Sequence, residues 1–358
     1  MSKLKKLTRQ RLFLPLFCLV LVLCVNMIYD MSQGRDFYEF FKIGITNGLL
    51  SGRLVNILNR GSEVAILAIG MTLVVSSSAG TDISVGSVMA LCAGVCCSLL
   101  AGAAAPQATE LAVPLIVGVL AALLVGCVCG AFNGALVAYL NIQPMVATLI
   151  LWTAARAIGL LVCNDLIVYV RNDTFALIGG SIGPIPTPMI IAVLCILVVT
   201  FVLKKSALGL YIQSVGINKK ASRIAGLNSQ RIIFLCYVLC GLCAGIAGLV
   251  ASSRITSADT NNIGLNFEMD AILAVALGGN SLAGGRFNLA GSIIGAYTIQ
   301  AITTTMYNLG VSSAVNPVFK AVIVILIVAV QAPPVKAYFK KLSAKRQAEK
   351  EVKGAVGV

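Results

Sequence analysis

Long apolar stretches alternate with short polar ones along almost the whole chain. Charged residues are absent from 12–28, 64–81, 83–109, 111–155, 174–203, 232–253 and 287–319. A helix needs roughly 20 apolar residues to cross the hydrocarbon core of a bilayer. Many of these runs reach that length, and two are long enough for a pair of spans or a span plus a loop. Lipid offers no partner to a free backbone N–H or C=O, so helices are the expected element. The short alternating strands of a membrane barrel do not occur. The pattern predicts an all-α fold, a polytopic transmembrane helical bundle.

About ten spans are expected, at 12–28, 62–80, 84–104, 112–138, 144–163, 187–203, 231–251, 269–284, 288–309 and 317–334. Asn141-Ile-Gln-Pro144 divides the longest run, because proline cannot donate a helical hydrogen bond. Gly183-Pro-Ile-Pro-Thr-Pro188 marks the entry to the sixth span. The eighth is anomalous: it is short and ends in Gly278-Gly-Asn-Ser-Leu-Ala-Gly-Gly285, which suggests a broken or shallow helix. The first run has a basic flank but is followed by Tyr29-Asp30-Met31 instead of a small-residue cleavage site, so it is read as a retained span. Gly126, Gly130 and Gly134, then Gly241 with Gly245 and Gly291 with Gly295, are spaced for close helix approach. That approach could be within the chain or to a second copy.

Charge gives these spans a direction. The net charge is +14, and its basic residues gather in three places. One is Lys3 to Arg11, one is Lys204 to Arg231, and one is Lys336 to Lys353. Each abuts an apolar run, which fits cytoplasmic flanks better than a nucleic-acid surface. An even span count places all three clusters, and both termini, on the cytoplasmic side. The domains expected are a tail at 1–11, a transmembrane domain at 12–334 with a cytoplasmic loop at 204–231, and a basic tail at 335–358.

Composition narrows the chemistry. Hydrophobic residues make up 58% and charged ones only 11%, against about 25% charged in soluble domains. There are 12 Cys and no His, so neither a His-based triad nor a His-based metal site can be built. The cysteines mostly lie inside apolar runs and read as small packing residues. Gly279-Asn-Ser-Leu-Ala-Gly-Gly-Arg286 only superficially resembles a phosphate-binding loop, since it lacks the Gly-Lys-Ser/Thr ending. No cofactor and no enzymatic activity are expected on this chain, and any ATP-driven step needs a separate ATPase.

Few residues can line a polar path. Arg156 lies within the fifth span, where an ionisable group is a functional candidate by default. It could pair with a carboxylate such as Asp82, or line the path itself. Asn133, Gln143, Asn280 and Gln300 are the other candidates with Asp82, although amides also tie membrane helices together. Glu268 and Asp270 read as an interfacial flank. In the central loop, Asn218 can cap a helix of roughly two turns. Ala221, Ile224 and Ala225 fall on one face of it, and Gly226 ends it. Cap, stripe and stop together suggest a surface helix that a partner approaches closely.

These residues resemble a known family. Asn56-Ile-Leu-Asn-Arg, Ala68-Ile-Gly-Met-Thr-Leu-Val and Asp82-Ile-Ser-Val-Gly-Ser-Val-Met-Ala carry the likeness in the first third. Phe132-Asn-Gly, Gln143-Pro-Met-Val-Ala-Thr-Leu and Val215-Gly-Ile-Asn-Lys-Lys-Ala carry it in the middle. Glu268-Met-Asp-Ala-Ile-Leu-Ala-Val-Ala-Leu-Gly-Gly and Ser281-Leu-Ala-Gly-Gly-Arg-Phe-Asn complete it. From about residue 55 to 331 the chain resembles the ribose-type permease subunits of bacterial carbohydrate ABC importers, with galactofuranose-transporter permeases nearest in look. It departs from the pattern at Ser77-Ser-Ala-Gly80, where relatives often show a Gly-Gly-Ile-Asp-type run.

The resemblance implies a multi-pass protein of the bacterial inner membrane that imports a monosaccharide such as galactofuranose or ribose. It implies a second permease, the same or a paralogue, a cytoplasmic ABC ATPase and an extracytoplasmic sugar-binding protein. It assigns ATPase coupling to Gly216, Asn218, Lys219, Ala221, Ala225 and Gly226. A nucleoside or an autoinducer-type solute is the alternative cargo. An ion-coupled secondary transporter is the alternative class, disfavoured because the apolar runs hold almost no acid and no His.

Overall fold

A computed structural model describes residues 12–312 except 33, 35, 37, 38 and 47, together with 315, 317–322 and 325. Twelve α-helices lie among the described residues. They begin with α1 (Phe13–Ser32), α2 (Arg53–Ser78), α3 (Val85–Ala101), α4 (Leu115–Ala138), α5 (Pro144–Val162) and α6 (Asp173–Gly179). They continue with α7 (Thr187–Lys205), α8 (Leu208–Ile217), α9 (Lys219–Ile224), α10 (Ser229–Arg254), α11 (Phe267–Leu277) and α12 (Leu289–Asn308).

Short strands decorate the connections. β1 (Gly44–Thr46) and β2 (Leu49–Ser51) form a hairpin, as do β5 (Ser181–Ile182) and β6 (Ile185–Pro186). β3 (Gln107–Ala108) pairs parallel with β4 (Val168–Val170), which pairs antiparallel with β7 (Ser257–Ala258). That small sheet gathers the chain as it leaves α3, α5 and α10, so those three helices end together. The opposite end of the bundle carries α8 and α9, which join α7 to α10.

Among the described residues, five helices are long and apolar enough to cross a membrane: α2, α4, α5, α7 and α10. Their hydropathy follows their surroundings. The apolar window of α2 is entirely buried and has a mean hydropathy of only 1.5, whereas α4 is 28% buried at 2.7. The inner helix carries small polar groups such as Ser62, Thr72, Ser76 and Ser77, all fully buried. Several of these bond back to the preceding turn, as Thr72 Oγ1 does to the Ala68 carbonyl at 2.5 Å, so polarity is satisfied within the helix. The outer helices present Leu120, Leu124 and Val128 on α4, and Val193, Leu197 and Phe201 on α7, as lipid requires.

The glycine pairs work inside the chain. A Cβ on Gly126 would sit 2.5 Å from the Gly241 carbonyl oxygen, and one on Gly241 would overlap the Gly126 carbonyl. Gly130 meets the Tyr237 carbonyl in the same way. The backbones of α4 and α10 therefore touch with no side chain between them, the geometry for which small residues are selected in membranes.

Expected and observed helices overlap over most of the chain, although α2 begins at Arg53, well before the expected 62, and the eighth is the broken element its sequence suggested. The eighth segment is helical only over Phe267–Leu277, 11 residues. Residues 259–266 enter the bundle as irregular backbone, covered by α3 and α5, which is the condition under which such backbone is tolerated at depth. The shortness of the apolar run thus reflects a broken element. Of the tenth expected span, only 317–322 and 325 are described, and the tails at 1–11 and 335–358 lie outside the described residues.

Candidate functional site

Two polar constellations and one surface hinge stand out from the apolar background. The first is at the turn between α2 and α3. Asp82 is 2% exposed, and its Oδ1 accepts from the Ser84 backbone N–H at 2.9 Å and from Ser84 Oγ at 2.6 Å. Asn133 of α4 reaches the same point, donating to Ser84 Oγ at 2.8 Å and to Asp82 Oδ1 at 3.5 Å. The carboxylate sits before the N-terminus of α3, where the helix dipole favours negative charge. Thr148 of α5 accepts from the Ile83 N–H at 3.1 Å and fastens the turn from the other side.

The second constellation lies deeper along α5. Trp152 and Arg156, four residues apart, share one face of that helix. Trp152 Nε1 donates to Glu268 Oε1 at 3.3 Å. Arg156 Nη1 donates to the carbonyls of Thr260 and Asn261 at 2.6 and 2.8 Å, and Nη2 donates to that of Ile263 at 3.3 Å. One face of α5 therefore grips the whole irregular segment that precedes α11. Pairing of Arg156 with Asp82 does not occur: Asp82 is held by Ser84 and Asn133, while Arg156 serves main-chain oxygens one end of the helix away. Glu268 and Asp270 are not an interfacial flank either, being 4% and 7% exposed. The reason is the broken entry, which starts α11 inside the bundle and carries its first turn in with it.

The remaining candidates are scattered. Asn280 turns inward and closes its own loop, donating to Ser292 Oγ at 2.8 Å and accepting from the Asn288 N–H at 2.6 Å. Gln300 is buried on α12 and donates to Thr304 at 3.5 Å. Gln143 is exposed just before α5. The polar candidates thus form no single site: Asp82 and Asn133 meet, and Arg156, Asn280, Gln143 and Gln300 stand apart. Trp152, Ser84 and Glu268 complete the two constellations. Trp152 went unread because a single aromatic in an apolar run carries no periodic signal.

The surface hinge is the α8–α9 pair. Asn218 caps α9, its Oδ1 accepting from the Ala221 N–H at 3.0 Å. Gly226 follows with φ of 84°, a left-handed stop that glycine adopts without strain. Ala221, Ile224 and Ala225 are all exposed, Ile224 at 89%. Gly216 points the other way: a Cβ there would overlap the Ser76 carbonyl oxygen at the end of α2 and lie 2.8 Å from the Gly285 nitrogen. Gly285 N–H in turn donates to Ser76 O at 3.3 Å, and Ser76 Oγ donates to Arg286 O at 3.1 Å. Three distant segments, around 76, 216 and 285, thus meet backbone to backbone.

Comparison with known proteins places these features in a family. Residues 53–331 match the family model described as branched-chain amino acid transport system / permease component. The chain is 43% identical over 294 residues to the galactofuranose transporter permease protein of Escherichia coli K12, covering 82% of this chain and 83% of that one. It is 37% identical to the fructose import permease protein of Bifidobacterium longum, covering 98% and 95%. It is 38% identical to the ribose import permease protein of Escherichia coli K12, covering 77% and 84%. No solved structure matches the chain. Apolar helices of spanning length, backbone-to-backbone helix seams and a family match across 53–331 converge on one statement: the chain is a membrane protein and belongs to the branched-chain amino acid transport system / permease component family.

Proposed function

We propose that this chain is the membrane-spanning permease subunit of a bacterial inner-membrane ABC importer for a monosaccharide, galactofuranose, ribose or a similar sugar. The α8–α9 hinge is the observation that carries the reading. An exposed apolar stripe on the capped α9 needs a partner, and Gly216 seats the adjoining α8 directly on the end of α2. The three relatives named above are sugar permeases by name, which supports the choice of cargo. Ten spans with cytoplasmic termini are the topology that places all three basic clusters on one side.

ATP hydrolysis then belongs to a cytoplasmic ATPase, and sugar delivery to an extracytoplasmic binding protein. A second permease, identical or paralogous, completes the pathway. A push on α9 travels through the Asn218 hinge to α8. At Gly216 it reaches Ser76 and Gly285, so α2 and the α11–α12 turn move with it. The turn that holds Asp82 follows directly after α2 and feels the same displacement. Asp82 and Asn133 near the inner end, and Trp152, Glu268 and Arg156 deeper in, are the polar groups available to hydroxyls in transit.

Ala225→Glu tests the docking surface. Burying an unpaired charge in a tight contact costs a few kcal/mol, and about 1.4 kcal/mol already weakens association tenfold. The variant is expected in the membrane at normal copy number, without ATP-driven uptake and with little ATPase in a pull-down. Normal uptake and normal co-purification would place the docking surface elsewhere.

A further inference from the structure

The face of α9 opposite the apolar stripe lines a cleft of about 390 Å³. Lys219, Lys220 and Arg223 point into it, and Ser229 and Gln230 bring the N-terminus of the 26-residue α10 to its wall. Ala138 and Ile233 form an apolar floor. No carboxylate lines the cleft, and none of the three cations makes an ion pair or hydrogen bond with a described residue. Helix geometry separates the two faces: at 100° per residue, Lys219 and Arg223 fall opposite Ala221, Ile224 and Ala225. Desolvation also pushes the Lys219 ammonium down from its ordinary value, so a bound anion would relieve an existing cost.

Ala138 and Asn141 of the cleft lie at and just beyond the end of α4. Leu124, Val128 and Phe132 are exposed on that helix, and Tyr139 and Leu140 just after it. Tyr139 packs against Phe234 beside Ile233, with ring centroids 5.7 Å apart and the rings tilted by 49°. A basic pocket at the foot of an apolar stripe matches a phospholipid, phosphate in the pocket and acyl chains along the helix. A soluble acidic peptide would have no use for the stripe.

We propose that this cleft binds the phosphate of an anionic phospholipid from the cytoplasmic leaflet. The proposal rests on the cytoplasmic placement of α9 and not on the cargo or the ATPase, so it is tested on the isolated permease. The purified protein is equilibrated with mixed micelles of phosphatidylcholine and phosphatidylglycerol, and retained lipid is counted by native mass spectrometry. Wild type is expected to hold at least one phosphatidylglycerol per chain that Lys219→Gln/Arg223→Gln binds at least tenfold more weakly. Lys204→Gln/Lys205→Gln, at the end of α7 outside the cleft, should retain it. Reductive methylation of Lys219 in the wild-type chain gives a second reading that needs no variant. It should slow in phosphatidylglycerol-containing nanodiscs relative to phosphatidylcholine ones.

Equal retention by wild type and cleft variant overturns the proposal. So does displacement of the lipid by millimolar inorganic phosphate, which would identify a free anion as the ligand. Protection of Lys219 by added ATPase alone, with no response to lipid, would assign the cleft to the protein partner instead.

Discussion

Arg156 gives its guanidinium to three main-chain oxygens, an arrangement that no charge pattern in the sequence could announce. An arginine inside an apolar run advertises itself by its own identity, but carbonyl acceptors have no side-chain signature, so its partners cannot be read before the chain is folded. Hydrogen bonds to charged groups contribute about 1.5–3 kcal/mol each, and removing the donor leaves the acceptors unpaired. Arg156→Leu is therefore expected to lower the melting temperature in detergent and to abolish uptake. Arg156→Lys, with one point charge in place of a fork, should recover part of the stability. A leucine variant that melts like wild type would show that the 259–266 segment needs no grip from α5. Asp82 teaches the same lesson in reverse: its burial was legible as a lone acid between apolar runs, while its partner Asn133 is 51 residues away.

Elements with local signals were read well and elements defined by distant neighbours were not. Asn218 and Gly226 bound α9 as their spacing predicts, because a cap and a left-handed stop depend only on adjacent backbone. Asn218→Ala should cost about 1 kcal/mol of helix stability. Faster amide exchange across 219–225 is the expected readout, and unchanged exchange would mean that tertiary contacts alone hold α9. Gly216 is different. Its spacing says nothing of Ser76, yet a methyl group there collides with that carbonyl. Overpacking of this kind costs typically about 1–3 kcal/mol. Gly216→Ala should leave α9 folded while lowering both thermal stability and ATP-driven uptake. Wild-type behaviour on both counts would break the link between α8 and α2. The eighth element was anomalous in the sequence for a sound reason, yet only the fold shows that 259–266 supplies the missing depth without helix.

At the scale of the whole molecule, the helical class reads from the apolar runs because lipid leaves so few solutions, while the side of each loop rests on the charge pattern alone. Thin runs of charge set the side of each loop, and apolar length sets the number of crossings. What stayed hidden is how the helices are nested, since α2 is the most buried and yet the least hydropathic of the five spanning helices. Topology is open to a direct measurement. A single cysteine at Lys219, on a background free of the natural cysteines, should react with an impermeant maleimide only in inside-out vesicles. Labelling from the outer face of intact cells would reverse the orientation.

The seam between α4 and α10 has a mechanical consequence. Two backbones in direct contact, carbonyl against Cα, have no compressible layer between them, so a slide of even an ångström drives atoms into overlap. The pair must behave as a stator. Under the proposed coupling through α9, movement is expected where the helix is already broken, at the irregular stretch leading into α11. Spin labels on the outer faces of α4 and α10 should keep a constant separation throughout the ATP cycle, while a pair reporting α11 against α4 should not.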